Sequence, residues 1–436
     1  MILDEPQAHR IIEKALALAS ADEARVNLSG GRGANTRVAL NSVTTCGDAD
    51  NLSVAVTAAF GTRHATATGS ETDDAALERL VHTAEDMARV APEDPEYVPE
   101  LGPQDYLDIH PWFESTARAT QERSVDVARA AIDAARERGV TVAAFFQHNH
   151  GFSALGNSSG LFAYTRGTDA SLSVTARTTD GAGSGYAADN SRDIDEIDAA
   201  AASRRAIEKA EASRSPKTLE PGVYPAILEP LAAAEFLAYA VWNMNARQAD
   251  EGRSFYATTG GGNKIGEKIV GDNITFTSDP QCPALLSSPF SGDGLPARPH
   301  TWIESGVLKK LFYGRYWASK QDTEPCFPSN TILAGGEKTL DEIIADTDRA
   351  VLVTRFWYIR SLDPQTILVT GLTRDGVFWV EDGAIRHSVK NFRFNESPIA
   401  VLNKVTALSQ PTRVGNSLTP ALRTSAFTFS SLSDAV

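Results

Sequence analysis

Residues 230–247 read PLAAAEFLAYAVWNMNAR, and this stretch decides how the second half of the chain folds. Proline is well tolerated at the first position of a helix, and the alanine, leucine and aromatic residues after it favour a helix that is apolar on nearly every face. Such a helix removes its apolar surface from water only when protein surrounds it. We therefore predict that it lies in the interior, packed against curved sheets.

The chain has 436 residues, which is more than one hydrophobic core usually holds. The proline-rich segment 214–225, RSPKTLEPGVYP, marks the predicted boundary between two domains, residues 1–213 and 214–436. The predicted fold class is α+β, with helices packed on antiparallel sheets in each half. In the first half we expect the helices on one face of the sheet.

Hydrophobic periodicity assigns the secondary structure. Helices are predicted at residues 6–21, 73–91, 115–139, 194–212 and 394–406. Strands are predicted at residues 26–28, 37–43, 51–60, 63–68, 141–148, 152–157, 160–167, 170–179, 300–303, 307–313, 350–359, 366–374, 377–381 and 384–389. Residues 92–111 contain five prolines and are expected to form an extended surface connection.

Composition argues against several functional classes. The formal net charge of -15, with no basic cluster, disfavours nucleic-acid binding. No run of about 18 apolar residues occurs, and the first residues are acidic rather than basic, so we expect neither a membrane span nor a signal peptide. The scattered Cys46, Cys282 and Cys326 fit inert thiols better than disulfides or a zinc knuckle. These features predict a cytoplasmic protein.

Two pairs of residues are candidates for the wall of a peptide groove. His148 and His150 lie two apart on a predicted strand, so both rings can point to one face and could hold a metal together, although two ligands do not make a site. Arg315 and Tyr316 follow another predicted strand. Structural roles are the alternative for both pairs, because histidines at strand ends are usually hydrogen-bonded and aromatic residues usually belong to the core.

Three further patterns favour structure over chemistry. The triplet 260–262, Gly-Gly-Gly, lacks the Gly-Lys-Ser/Thr ending of a phosphate-binding loop and is predicted to be a flexible loop. Ser158 and Ser159 are expected in a turn, since no Gly-x-Ser-x-Gly surrounds them. Glu229 and Glu235 are six residues apart and fall on different faces of the helix, so they are not expected to act as an acid/base pair.

Several stretches, in order along nearly the whole chain, resemble the TldD/PmbA family, whose members were first named as modulators of DNA gyrase. The resemblance in the first half lies in NLSVAVTAAFGTRHATATGSETDDAALERLVHTAEDMARVAPEDPEY and ALGNSSGLFAYTRGTDASLSVTART. In the second half it lies in GDGLPARPHTWIESGVLKKLFYGRYWASK, SNTILAGGEKTLDEII and TPALRTSAFTFSSLSDAV. The resemblance implies a metallopeptidase-type fold and a dimer, either of two copies or of two different chains.

The family has two branches, and the central helix separates them. The TldD branch carries His-Glu-x-x-x-His, which provides two zinc ligands and a glutamate base, and a cysteine ligand near the C-terminus. The PmbA or TldE branch lacks these residues and pairs with TldD. FLAYAVWN places Ala238, Tyr239 and Asn243 at the motif positions, and residues 408–423 contain no cysteine. The resemblance therefore implies the branch without the metal motif, with zinc only in a TldD-like partner.

Three functions remain open. The first is the metal-free subunit of a TldD/PmbA-type peptidase that acts on small or unfolded peptides, with no catalytic or metal residues of its own. The second is a stand-alone protein that binds peptides by strand addition. The third is an independent enzyme with a diverged site near Tyr239, His148 or His150. Metal content and peptide cleavage, measured with and without a partner, distinguish them.

Overall fold

The structure is a computed structural model that describes residues 2–433. Its framework consists of two sheets, and helices pack on both, so the predicted α+β class is confirmed. The first sheet is antiparallel throughout the described residues, whereas the second is mixed. In the second sheet, β7 (Gly222–Leu228) runs parallel to β12 (Arg349–Val353), and β11 (Thr331–Leu333) runs parallel to β19 (Ser417–Leu432).

The first sheet has six strands, in the order β3-β2-β1-β4-β5-β6. They are β1 (Glu23–Ala39), β2 (Ser42–Phe60), β3 (Arg63–Gly69), β4 (Val140–Asn157), β5 (Phe162–Thr178) and β6 (Ser184–Ser191). The last three strands form an antiparallel meander, and β6 among them was not predicted from the sequence.

Four of these strands are much longer than predicted. The strand predicted at 63–68 is confirmed as β3, but the short strands predicted in residues 26–60 and 141–179 were wrong, because the prediction took glycine-containing segments for turns. In the structure these glycines let neighbouring backbones approach closely. A Cβ atom on Gly31 would lie 2.9 Å from the carbonyl oxygen of His150, and one on Gly151 would lie 2.7 Å from that of Gly30.

Five helices belong to the first half: α1 (Glu5–Leu18), α2 (Asp74–Val90), α3 (Glu114–Ala117), α4 (Gln121–Glu137) and α5 (Ala199–Ala212). Their starts follow ordinary capping chemistry. Asp4 caps α1 by accepting from the backbone N–H of Gln7, whose side chain accepts from the backbone of Asp4. Asp73 caps α2. The helix predicted at 115–139 is divided into α3 and α4, because Thr116 docks on the backbone of Arg192 and Ile194.

The four long helices, α1, α2, α4 and α5, pack on one face of the first sheet, as expected. The even-numbered residues of β4 point to one face, because its pairing with β1 and β5 has no register shift. Val142, Ala144 and Phe146 pack in the core under α4 and α5. Phe152 and Ala154 pack in a separate core under α1 and α2. Positions 148 and 150 therefore lie on the helix-covered face, between the two cores.

The second sheet is built from the strands after residue 221. Besides β7, β11, β12 and β19, these are β8 (Phe276–Ser278), β9 (His300–Glu304), β10 (Val307–Leu308), β13 (Phe356–Asp363), β14 (Leu368–Thr373), β15 (Val377–Glu381), β16 (Ala384–Ser388), β17 (Phe392–Glu396) and β18 (Val405–Val414). The accompanying helices are α6 (Pro230–Trp242), α7 (Ala246–Asp250), α8 (Arg315–Lys320), α9 (Leu340–Ala345) and α10 (Pro398–Leu402). The helix predicted at 394–406 was wrong at both ends, because Phe394 pairs in a strand beside Phe429 and Val405 begins β18, which pairs with β19.

Helix α6 is the centre of the second core, as predicted for residues 230–247, although it ends at Trp242. The buried side of α6 includes Phe236, whose ring lies 5.6–5.9 Å from the rings of Phe356, Phe394 and Phe427. The prediction of an interior helix is confirmed for that side. The opposite side is partly open, since Trp242 is 67% exposed.

Residues 92–113 connect α2 to α3 without regular secondary structure. They also contact the second half: Arg247 donates to both carboxylate oxygens of Glu96, at 2.6 and 2.7 Å, and Tyr106 donates to the carbonyl oxygen of Gly294. The surface connection predicted for residues 92–111 is confirmed. Among the helices of residues 2–433, none is long and apolar enough to span a membrane.

Candidate functional site

The open side of α6 carries the three positions at which the sequence resemblance places the family's metal motif. Ala238, Tyr239 and Asn243 are all partly exposed there, next to the exposed Trp242. The indole ring of Trp242 lies 5.1 Å from the phenol ring of Tyr239. This side of the helix is therefore accessible, and it presents aromatic and amide groups.

The two polar residues at these positions already bind backbone groups. The hydroxyl group of Tyr239 donates to the carbonyl oxygen of Ile359 at 2.8 Å. The amide nitrogen of Asn243 donates to the carbonyl oxygen of Tyr239 at 2.7 Å and closes the end of α6. Ala238 has no donor atom. These side chains do not fit a zinc ion, and no group of three or more His, Cys, Asp or Glu residues that could hold a metal occurs within residues 2–433.

Strand β13 lies beside this side of α6 and has unusual surface chemistry. It pairs with β14 on one edge, and no other strand of the described chain pairs with it. Three large apolar side chains are exposed on it: Trp357 by 42%, Tyr358 by 62% and Leu362 by 53%. The ladder shifts register after Trp357, and Tyr358 has φ of +54°, which is a strained backbone conformation for a bulky residue.

Arginine side chains cover these aromatic rings. The guanidinium of Arg360 lies 4.0 Å from the centre of the Tyr358 ring, and that of Arg374 lies 4.7 Å from the centre of the Trp357 ring. We call Tyr239, Trp242, Trp357, Tyr358 and Arg360 the α6–β13 surface. Exposed aromatic residues interleaved with arginines are typical of surfaces that bind peptides or proteins, and they lie here on a strand that pairs with no strand of the described residues other than β14.

Glu235, one turn before Tyr239, connects this surface to a buried ion network. Its Oε2 accepts from the backbone N–H of Phe356 at 3.0 Å, and its Oε1 lies 3.7 Å from Nε of Arg355. Arg355 also binds the buried Asp375, at 3.2 Å, and covers the ring of Tyr186, at 3.8 Å. Burial raises the pKa of Glu235 to about 7, although Arg355 and the Phe356 N–H favour the ionised form. Glu235 is therefore a partly buried side chain whose two carboxylate oxygens both have partners.

The raised pKa of Glu235 predicts a pH-dependent stability that Glu235→Gln removes. In the unfolded chain this carboxyl group has its ordinary pKa of 4.5. Between pH 4.5 and 7, the unfolded chain loses the proton while the folded chain keeps it, so the free energy of unfolding falls as pH rises through this window. Above pH 7 both states are ionised and the loss is constant, on the order of 3 kcal/mol. Urea unfolding at several pH values should show the variant gaining stability relative to wild type as pH rises.

Glu229→Gln is the matched control for this prediction. Glu229 precedes α6 and pairs with Lys209 at 2.6 Å, so its removal also deletes a carboxylate next to the helix. This control keeps Glu235 and should keep the fall in stability between pH 4.5 and 7. Equal pH profiles for wild type and Glu235→Gln would contradict the assignment.

The candidate histidines lie far along the chain from this surface, in the middle of β4. His148 is buried and His150 is partly buried. Both line a cavity that includes neither Tyr239 nor any residue of the second half. The pKa of each ring is lowered, chiefly by burial. The structure therefore brings the two histidines together but does not join them to the α6–β13 surface.

Arg315 and Tyr316 lie at the start of α8, against residues 92–113. The guanidinium of Arg315 donates to the carbonyl oxygen of Pro99 and lies 3.8 Å from a carboxylate oxygen of Asp293. The ring of Tyr316 lies 5.7 Å from the guanidinium of Arg247. These contacts hold the connection of the first half against the second half. A role in a peptide groove remains a prediction for this pair.

The remaining sequence patterns have structural roles. Gly260, Gly261 and Gly262 all have positive φ in a loop, as predicted. Ser158 lies in a turn, where its hydroxyl accepts from the backbone N–H of Ala24. Ser159 donates its backbone N–H to Asn157 in the same turn.

Sequence reasoning missed Trp242, Trp357 and Tyr358 as surface residues. The signal was present in the run FWYIR at residues 356–360, which has three consecutive aromatic residues. A strand with one buried face alternates, so two adjacent aromatic residues cannot both enter the core unless both faces are covered. Periodicity alone does not tell which of the two remains outside.

Comparison with known proteins identifies the family. Three family models match consecutive parts of the chain: PmbA/TldA metallopeptidase domain 1 at residues 24–88, the central domain at residues 114–214 and the C-terminal domain at residues 221–431. The chain belongs to the PmbA/TldD family. The resemblance of the quoted segments to this family is thereby confirmed.

Solved structures of PmbA/TldD proteins have the same fold. TldE from Thermococcus kodakarensis superposes with a TM-score of 0.88 at 20% identity, covering 97% of this chain and 99% of that chain. A proposed modulator of a DNA gyrase from Thermotoga maritima superposes with a TM-score of 0.87 at 20% identity, covering 96% and 99%. At this identity the likeness concerns the fold alone.

A protein from Methanothermobacter thermautotrophicus that is named a metalloprotease is similar in sequence to part of this chain. It is 27% identical over 169 residues, which are 35% of this chain. The match spans 36% of the relative's length. Because the match is partial, it does not assign the relative's activity to this member of the PmbA/TldD family.

Proposed function

We propose that this chain is the PmbA/TldE-like subunit of a TldD/PmbA-type metallopeptidase that acts on small or unfolded peptides. The observation that carries the proposal is the set of side chains on the open side of α6. Ala238, Tyr239 and Asn243 stand at the motif positions, and their polar groups are engaged with backbone. In this proposal a TldD-like partner supplies the zinc and the catalytic base. This chain supplies part of the peptide-binding wall.

The α6–β13 surface suits that wall for two reasons. Its aromatic side chains offer rigid apolar contact area to any peptide sequence, as unfolded substrates require. Its strand edge can pair with the backbone of an extended peptide, which all sequences share. Arg360 adds positive charge in a chain whose net charge is -15. Together these features favour extended peptides with acidic or aromatic side chains.

Reconstitution with a partner bearing His-Glu-x-x-x-His tests the proposal. We expect the separately purified chains to co-elute and to cleave a quenched peptide mixture only when combined. Trp242→Ala should lower kcat/KM of the pair at least tenfold, because it removes a large exposed contact from the wall. Co-elution should not change.

Val223→Ala is the matched control, since Val223 is 62% exposed on β7. Its activity in the pair should equal that of wild type. A partner without its motif histidines should abolish cleavage. The proposal fails if the two chains do not associate, or if the lone chain cleaves at the rate of the pair.

The edge of β13 that no second strand of the described residues pairs with favours a second function, stand-alone peptide binding by strand addition, in which the peptide backbone competes with the bonds that Tyr239 and Glu235 make to this strand. No strand of the described chain covers this edge, and apolar side chains flank it. Titration of the lone chain with a fluorescent peptide library should then give saturable binding. Trp357→Ala should weaken that binding, whereas Val223→Ala should not. Binding that requires the partner supports the subunit instead.

A further inference from the structure

The cavity lined by His148 and His150 lies in the first half, between the two helix-covered cores of the first sheet. It has a volume of about 650 Å³, and its floor is formed by β1, β2 and β4. The turn between α3 and α4 forms its wall. His148 and His150 line it from β4. Neither the proposed peptidase role nor the α6–β13 surface uses this cavity.

His148 is an unsatisfied polar group at the bottom of the cavity. Its residue is only 4% exposed. Neither ring nitrogen has a hydrogen-bond partner among the described residues, and the same holds for Nδ1 of His150. Buried polar groups in proteins nearly always have a partner, because leaving one without a hydrogen bond costs about 1–3 kcal/mol. The pattern indicates that a molecule from outside the chain completes these bonds.

The wall of the cavity supplies the start of a long helix. α4 has 17 residues, and its N-cap residue, Thr120, makes no side-chain capping bond. The first N–H groups of a helix have no acceptor within the helix, and the helix dipole adds partial positive charge there. Thr120 and Gln121 both line the cavity. An anion is the natural ligand of such a helix end.

Two arginines lie at the rim of the same cavity. Arg32 and Arg118 line it, and each pairs with an exposed carboxylate: Arg32 with Asp48, which also lines the cavity, at 3.3 Å, and Arg118 with Glu114 at 3.0 Å. Exposed pairs of this kind contribute little stability, so the guanidinium groups can turn towards a ligand. Guanidinium groups match the geometry of oxyanions.

We propose that this cavity binds a phosphate-sized oxyanion, held by the imidazole of His148 and the first N–H groups of α4, with Arg32 and Arg118 at the rim. A metal is disfavoured, because the described residues offer no group of three metal-ligating side chains. Burial and the neighbouring His150 lower the pKa of His148, so its ring is neutral, with one N–H donor and one acceptor. A hydrogen phosphate group has both an acceptor oxygen and an O–H donor, and matches that ring.

Calorimetric titration of the full chain with inorganic phosphate, at constant ionic strength, tests the site. We expect saturable binding by wild type and at least tenfold weaker binding by His148→Leu, which replaces the imidazole by an apolar side chain of similar size beside Phe146. His64→Leu is the matched control: His64 lies on β3, pairs with Asp94 at 3.0 Å and is not part of the cavity. It should bind phosphate as wild type does.

A second variant controls for misfolding, and titrations with two further ligands distinguish between the possible ligands. Arg118→Ala changes a side chain that is 82% exposed, so it should fold, and it should also weaken phosphate binding about tenfold. Phosphoserine should bind to the same site if a phosphate monoester is the ligand, whereas binding of phosphate alone indicates the free ion. The proposal is overturned if phosphate gives no saturable heat, or if zinc chloride binds in its place and His148→Leu removes that binding. Neither result bears on the peptidase proposal, which depends on α6.

Discussion

Phe236→Ala is expected to lower the free energy of unfolding by about 3–5 kcal/mol, because it leaves a ring-sized cavity in the second core. Phe236 has no exposed surface. Its ring contacts the rings of Phe356, Phe394 and Phe427, which come from three different strands. These strands cannot all move inward to fill the space. Urea unfolding followed by tryptophan fluorescence measures the loss.

Trp242→Ala, on the same helix, is the control for Phe236→Ala. Trp242 is also a large aromatic residue, but it is 67% exposed. Its truncation removes little buried area and should change the free energy of unfolding by no more than about 1 kcal/mol. Similar losses for the two variants would show that α6 is not oriented with Phe236 in the core.

Asp375→Ala is expected to have an effect of similar size, about 3–5 kcal/mol, for an electrostatic reason. Asp375 is 2% exposed. It accepts from the hydroxyl of Ser184 at 2.6 Å and pairs with Arg355 at 3.2 Å. Alanine leaves the Arg355 charge without its nearest carboxylate and the Ser184 hydroxyl without its acceptor. The substitution also places alanine at φ of +56°, a left-handed backbone conformation that aspartate tolerates better than alanine does.

Asp382→Ala is the matched control for Asp375→Ala. Asp382 also has positive φ, +48°, in the turn between β15 and β16, but its side chain is 80% exposed. Its replacement should cost about 1 kcal/mol at most, which is the backbone part of the effect. Asp375→Asn should fall between the two, since asparagine tolerates positive φ and keeps an acceptor. A loss for Asp375→Ala no larger than that for Asp382→Ala would contradict a structural role of the buried ion network.

The buried network also joins the two halves of the molecule. Ser184 begins β6 of the first sheet, and Asp375 lies between β14 and β15 of the second. The sequence gives no indication of this pair, because the two residues are far apart in the chain and neither stands in a motif. Glu235, by contrast, is visible in the sequence as a carboxylate in an apolar helix. The structure is needed to see that Arg355 and the backbone N–H of Phe356 lower the pKa of Glu235 and so offset part of the increase caused by burial.

The sequence by itself determined the α+β class, the central helix that begins at Pro230 and the family of the chain. These features depend on local periodicity, on capping residues and on the order of short segments, all of which a linear sequence contains. The resemblance also predicts that Ala238, Tyr239 and Asn243 stand at the family's metal-motif positions, and side chains of these types do not form a zinc site.

The tertiary structure alone decided the lengths of the strands and the location of the candidate sites. Gly31 and Gly151 look like turn residues in the sequence, but they let adjacent backbones approach within long strands. Trp242 and Tyr358 look like core residues, but packing leaves them outside, since α6 and β13 each have only one covered side. The cavity at His148 needs β4, β1 and the start of α4 together. Contacts between segments distant in the chain set all of these features, and local sequence patterns do not record such contacts.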